Sequence, residues 1–211
     1  MGNAGKGGSS MFGNDYELKH YVLKGTGVSR KGLNIICFIG IFIFGWLLAL
    51  VFDLLGRGKQ GWFYVVPMMV CLFISINIAP AFGILVPIIY IIGWIHANAV
   101  LSGYQSSARN RIGLTDRLPE DELTADAIME KGILQIEVLS AGEAGASTLA
   151  KAILMPGGDA QLLNLSGVVL FRAKHFAEAK QFFVRALSST KEDALMRQIK
   201  LNLTKVEKKL K

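Results

Sequence analysis

The chain has 211 residues, 52% of them hydrophobic and 18% charged, with a mean hydropathy of +0.41 and a net charge of +7. Soluble domains carry roughly 25% charged residues, and here the deficit is concentrated: from Leu33 to Leu101 the only charged side chains are Asp53, Arg57 and Lys59. That distribution excludes a single water-soluble globule, a disordered chain and a disulfide-rich secreted module, and it predicts a membrane protein with soluble flanks.

No region is basic enough to demand a nucleic acid partner. Cationic flanks of this strength suit anionic lipid headgroups instead. Cys37 and Cys71 both lie in apolar runs, so no disulfide framework is expected.

Residues 1–32 read as a flexible, Gly-rich, basic tail that opens MGNAGKGGSS. Its Gly-Lys pair lacks the spacing of a phosphate loop, and Lys6 stands where a myristoylation motif needs Ser or Thr. The first long apolar run begins only at Leu33 and lacks a small-residue cleavage site, which argues against a secretory signal peptide. Lys19, Lys24, Arg30 and Lys31 form a basic approach to the membrane.

Residues 33–101 read as the transmembrane region, with apolar segments at 33–55, 62–79 and 81–101. The first segment holds 23 residues, enough at about 1.5 Å per residue to cross a hydrocarbon core of about 30 Å. GRGKQG (56–61) reads as a polar turn, and Pro80 as the turn between the second and third segments. Trp46, Trp62, Tyr64, Tyr90, Trp94 and Tyr104 are candidate interfacial anchors.

Topology meets a conflict. The tail, the Arg57/Lys59 turn and the Arg109/Arg111 exit are all basic, whereas the Pro80 turn is uncharged. Three full spans put one basic flank on the wrong side. Two spans preceded by a first segment that dips without crossing keep all of them on one side. The length of the first segment favours three helices. The C-terminal region is expected in the cytoplasm, and the general pattern is that of a bacterial inner-membrane protein.

Polar residues at membrane depth are few: Asn34, Asp53, Asn77, His96 and Asn98. Asp53, His96 and Asn98 are the candidates to watch. A proton relay needs ionisable groups at mid-depth, so interfacial helix ends or bonds between packed helices explain them better.

Residues 102–118 read as a polar, basic linker that could continue the third helix. Pro119 followed by Glu120, Asp121 and Glu122 predicts a helix start. Residues 119–211 then read as helical throughout: Leu123 to Ser140, Ala146 to Met155, a stop at Pro156-Gly157-Gly158, and further helices beyond.

The stretch 160–187, AQLLNLSGVVLFRAKHFAEAKQFFVRAL, carries a pattern. Leu163, Ser166, Gly167 and Leu170 occupy one helix; Ala179, Phe183 and Ala186 occupy the next, after Phe176. This resembles the tetratricopeptide repeat, W-x2-L-G-x2-Y followed by A-x3-F. Leu163 replaces Trp, Ser166 replaces Leu, and Lys191 stands where Pro would close the repeat. Small residues at Gly167 and Ala179 suit a close helix crossing, and Leu163, Leu170, Phe183 and Leu187 suit the seam. The upstream helices offer a degenerate repeat. Leu195, Ile199, Leu203, Val206 and Leu210 line one face of a C-terminal capping helix. The fold class expected is therefore all-α: two or three membrane helices, then a soluble helical-hairpin domain with a cap.

The resemblance implies protein binding. Its groove would be faced by Gln161, Asn164, Val168, Phe171 and Arg172. Val168 and Phe171 could equally serve packing against the neighbouring hairpin. His20, His96 and His175 are scattered, and no metal-ligand or nucleophile motif is present, so no enzyme activity, cofactor or metal is expected. The function expected is that of a membrane-anchored adaptor or scaffold within a membrane assembly, with protein and lipid as partners and self-association as a further option. The rival is an oligomeric pore or transport subunit built from the 62–101 hairpin, with Gly83 and Gly93 as close-contact residues.

Overall fold

The computed structural model describes residues 16–25, 29–40 and 46–211. Among these, secondary structure is entirely helical: α1 (Tyr16–Lys24), α2 (Arg30–Gly40), α3 (Trp46–Leu54), α4 (Gly58–Asn77), a 3-10 turn (Pro80–Ile84), α5 (Leu85–Thr115), α6 (Ala125–Glu137), α7 (Gly142–Ala152), α8 (Ala160–Arg172), α9 (Phe176–Ser189) and α10 (Asp193–Leu210).

Among the described residues two helices, α4 and α5, are long and apolar enough to cross a membrane. Their 20 and 31 residues give lengths of about 30 and 46 Å. They form a hairpin closed by the uncharged 3-10 turn. Phe63, Val66, Phe73, Ile76, Ile88, Ile92 and Ile95 all project outward.

The expectation of one continuous helix over 33–55 meets a different arrangement. α2 and α3 are separate and pack against one another. At 11 and 9 residues, neither alone reaches across about 30 Å. Hydropathy did not separate them because the run from Leu33 to Phe52 holds no charged residue. α3 packs on both α4 and α5, and α2 packs on α5. On α4 only Gly61, Val65 and Met68 are buried, and no residue after Met68 is.

The polar turn is shorter than expected. Gly56 takes φ +76°, Arg57 N–H donates to Phe52 O (2.7 Å), and Gly56 N–H donates to Asp53 O (2.9 Å). This is a Schellman cap on α3. Gly58 then opens α4, so Gly58 to Gly61 form its first turn.

The tail also departs from expectation over the part described. Residues 16–24 are helical, and α1 buries Leu18, Tyr21 and Val22. The Gly-rich opening lies outside the described residues, as do the side chains of Lys19, Arg30 and Trp46. Residues 102–115, read as the start of a linker, are the last turns of α5. They are tied to α6 by Arg111–Glu130 (3.0 Å) and Asp116–Lys131 ion pairs.

Pro119 does not open a helix. Glu122 N–H donates to Pro119 O, forming a turn, and α6 starts at Ala125 because the Thr124 hydroxyl accepts from Ala127 N–H. The rest is a run of packed helices: α6 on α7, α8 on α9, α10 on α9, with α8 also on α6.

Candidate functional site

α8 begins where Asp159 caps it, its carboxylate accepting from Leu162 N–H (3.0 Å). Its inner face buries Leu163, Gly167 and Leu170 against α9, which contributes Ala179, Phe183 and Ala186. The crossing at Gly167 is tight: a Cβ there would lie 2.7 Å from Phe183 Cε1. α6 and α7 cross even more closely, through glycines the sequence reading passed over. A Cβ on Gly145 would meet the Gly132 carbonyl oxygen at 2.8 Å. Two glycines inside helical patterns were the available signal.

The other side of α8 faces a cavity of about 530 Å³ bounded by α1, α8 and α10. Gln161, Asn164, Val168 and Arg172 line it together, and α10 adds Leu195 and Gln198. Asn164 is buried and accepts from Asn202 Nδ2 (3.1 Å), so its side chain is spent on α10. Leu23 of α1 reaches into the same cavity.

The fifth expected groove residue, Phe171, is not in this cavity. Its ring packs on Phe176 (centroids 5.4 Å), beneath the α8–α9 turn. Arg172 both lines the cavity and pairs with Glu137 (3.3 Å), and its guanidinium occupies the space that a side chain at Gly25 would need. Glu137 is 4% exposed. Burial pushes its carboxyl up, and Arg172 pulls it partly back.

A second anchoring contact was not foreseen. The Arg185 guanidinium of α9 donates to the carbonyls of Ile153, Met155 and Gly157. It holds the α7–α8 connection, satisfying groups that a helix end leaves bare.

The polar residues singled out in the apolar region are engaged. Asn34 accepts from Trp94. Asp53 pairs with Lys24 (2.7 Å). His96 Nδ1 and Tyr64 Oη share a hydrogen bond (2.6 Å), with both rings against Phe52. Asn98 donates to Trp94 O within its own helix (3.1 Å), and Asn77 to Phe73 O (2.8 Å).

Of the aromatic residues expected at the interface, Trp62 is half exposed, whereas Tyr64, Tyr90, Trp94 and Tyr104 turn inward; the Trp46 side chain lies outside the described residues. Tyr90 Oη donates to Cys37 O (2.6 Å), Trp94 Nε1 to Asn34 Oδ1 (3.1 Å), and Tyr104 Oη to Leu55 O (3.1 Å). Short helices leave their terminal carbonyls without a partner inside the helix. α5 supplies the missing donors. Gly93 is likewise used inside the chain, buried against Leu48.

No protein-family model matches the chain, and no curated protein or solved structure matches it.

Proposed function

We propose that this protein is a membrane-anchored, non-catalytic adaptor whose C-terminal helices form a tetratricopeptide-like domain that binds a partner protein. In this reading α4 and α5 cross the bilayer as a hairpin, while α2 and α3 enter and leave on one side. Arg57, Lys59, Arg109 and Arg111 then share one face, and the lysine and arginine excess makes that face cytoplasmic. This two-span arrangement removes the conflict that three spans create.

The observation that carries the partner-binding reading is the cavity on α8. Gln161, Gln198 and Arg172 ring a floor that includes Val168 and Leu195, an apolar base with polar edges suited to a peptide segment. The crossing of α8 and α9 through Gly167, Ala179 and Phe183 supports the repeat resemblance. The pore reading is less favoured, because Gly93 does not face outward and Asn98 is satisfied within its own helix.

The test uses the full chain in cells. A photo-crosslinking residue at Gln161 should trap a discrete partner, and Val168→Glu should abolish the adduct. Placed at Gln181, on the opposite face, the crosslinker should trap nothing equivalent. The same adduct from Gln181, or none from Gln161, would overturn the groove. A tag after Lys211 that is protected in intact cells and cleaved in inverted vesicles fits the assigned side; the reverse pattern refutes it.

A further inference from the structure

A second cavity, of about 640 Å³, lies where α1, α3 and α4 meet. Lys24 comes from α1, Leu50 and Asp53 from α3, and Lys59 and Trp62 from α4. Lys24 already contacts Asp53 twice, through its carboxylate and its backbone carbonyl, which leaves one of its three N–H donors. Lys59 is exposed and has no hydrogen-bond or ion-pair partner among the described residues. The α4 N-terminus is not the attraction, because Asp53 Oδ1 already lies against Gly58. Lys24 and Lys59 outnumber Asp53, so the rim is net cationic.

Polarity is graded in one direction on both walls. α3 runs toward the Gly56 turn, so Leu50 lies one turn, about 4.5 Å, deeper than Asp53. α4 runs away from that turn, so Trp62 lies one turn deeper than Lys59. Leu50 and Trp62 are each about half exposed, at 47% and 50%. Charge at the rim with apolar walls one turn below is the profile of a phospholipid, phosphate above and acyl chain beneath. A free phosphate would leave the lower walls unused.

We propose that this cavity binds the headgroup of an anionic phospholipid, with Lys59 and the third N–H of Lys24 on the phosphate and Leu50 and Trp62 against the glycerol and acyl chain. The proposal rests on the reading that α4 and α5 cross a bilayer. The test takes the full-length protein in phosphatidylcholine vesicles, plain or doped with phosphatidylglycerol. Lipid retained per protein after detergent extraction is read by native mass spectrometry.

Phosphatidylglycerol should be retained in preference to phosphatidylcholine, and Lys59→Gln should lower its retention about fivefold. Lys151→Gln, an exposed lysine on α7, should not. Equal retention in the two variants overturns the site, and so does displacement of the lipid by inorganic phosphate. Flotation with plain phosphatidylcholine vesicles separates the two readings. A protein that floats but shows no preference for phosphatidylglycerol overturns the site alone, and one that does not float overturns the membrane reading and the site with it.

Discussion

Replacing Gly167 with alanine sets two opposed effects against each other at one atom. Alanine is a better helix former than glycine by about 0.8–1.0 kcal/mol. The added Cβ, however, would lie 2.7, 2.9 and 3.0 Å from Phe183 Cε1, Cδ1 and Cζ. Phe183 is 1% exposed, so its ring has no free space into which to retreat. Overpacking of this kind costs about 1–3 kcal/mol. The clash should win, for a net loss of about 1 kcal/mol. Gly113→Ala in α5 is the matched control, because nothing lies within 4 Å of its Cβ position. There only the propensity gain remains. The assay is hydrogen exchange on the full chain in nanodiscs. Amides of α8 and α9 should exchange about fivefold faster in Gly167→Ala, while Gly113→Ala should slow exchange in α5. Exchange in α8 unchanged or slower in Gly167→Ala would refute the argument that this crossing is sterically full.

Further outcomes follow from other contacts. Tyr90→Phe removes the donor to Cys37 O and should loosen α2 by about 1 kcal/mol; faster maleimide labelling of the buried Cys37 reads this directly, and an unchanged rate would count against it. Arg185→Met strips three carbonyls of their donor; the cost should be about 1–2 kcal/mol, seen as faster proteolysis between residues 153 and 158, with Arg185→Lys rescuing only part of it. Glu137 has a raised folded-state pKa, so it takes up a proton more readily when folded. Its stabilising contribution is complete below the unfolded carboxyl value of about 4.3 and is lost as pH rises through the folded value. Glu137→Gln should therefore flatten the pH dependence of α6 and α8 exchange above that point; an unaltered slope would show that another group is responsible.

The parts of the fold legible in the sequence are those where one residue type has one use. Gly167, Ala179 and Phe183 marked a helical pair because small residues at that spacing serve a close crossing. The long uncharged stretch, divided at Pro80, marked the α4–α5 hairpin. What stayed hidden depends on partners distant in sequence. Nothing in the composition of 33–55 separates α2 from α3, since no charge interrupts it before Asp53. Tyr90, Trp94 and Tyr104 looked like interfacial anchors because their role as donors depends on carbonyls about fifty residues earlier. The burial of Glu137 could not be foreseen, because Arg172 lies 35 residues away and its neighbours on α6 are ordinary. On α8, Gln161, Asn164, Val168 and Arg172 fell on one face by helical spacing alone. Phe171, for which the spacing left groove and packing both open, lies against Phe176.

The tyrosine contacts also dictate an order of assembly. Cys37 waits for Tyr90, 53 residues later in the chain, and Leu55 waits for Tyr104, 49 residues later. At about 5–20 residues per second a ribosome needs roughly three to ten seconds to cover that distance. Through that interval the nascent α2–α3 pair holds terminal carbonyls that its final partners cannot yet reach. Before α5 arrives, the pair must keep those groups in water or borrow other donors. The α2–α3 pair is thus made early but completed only once α5 has followed it. A truncation before Tyr90 removes the means by which the earlier part reaches its final form.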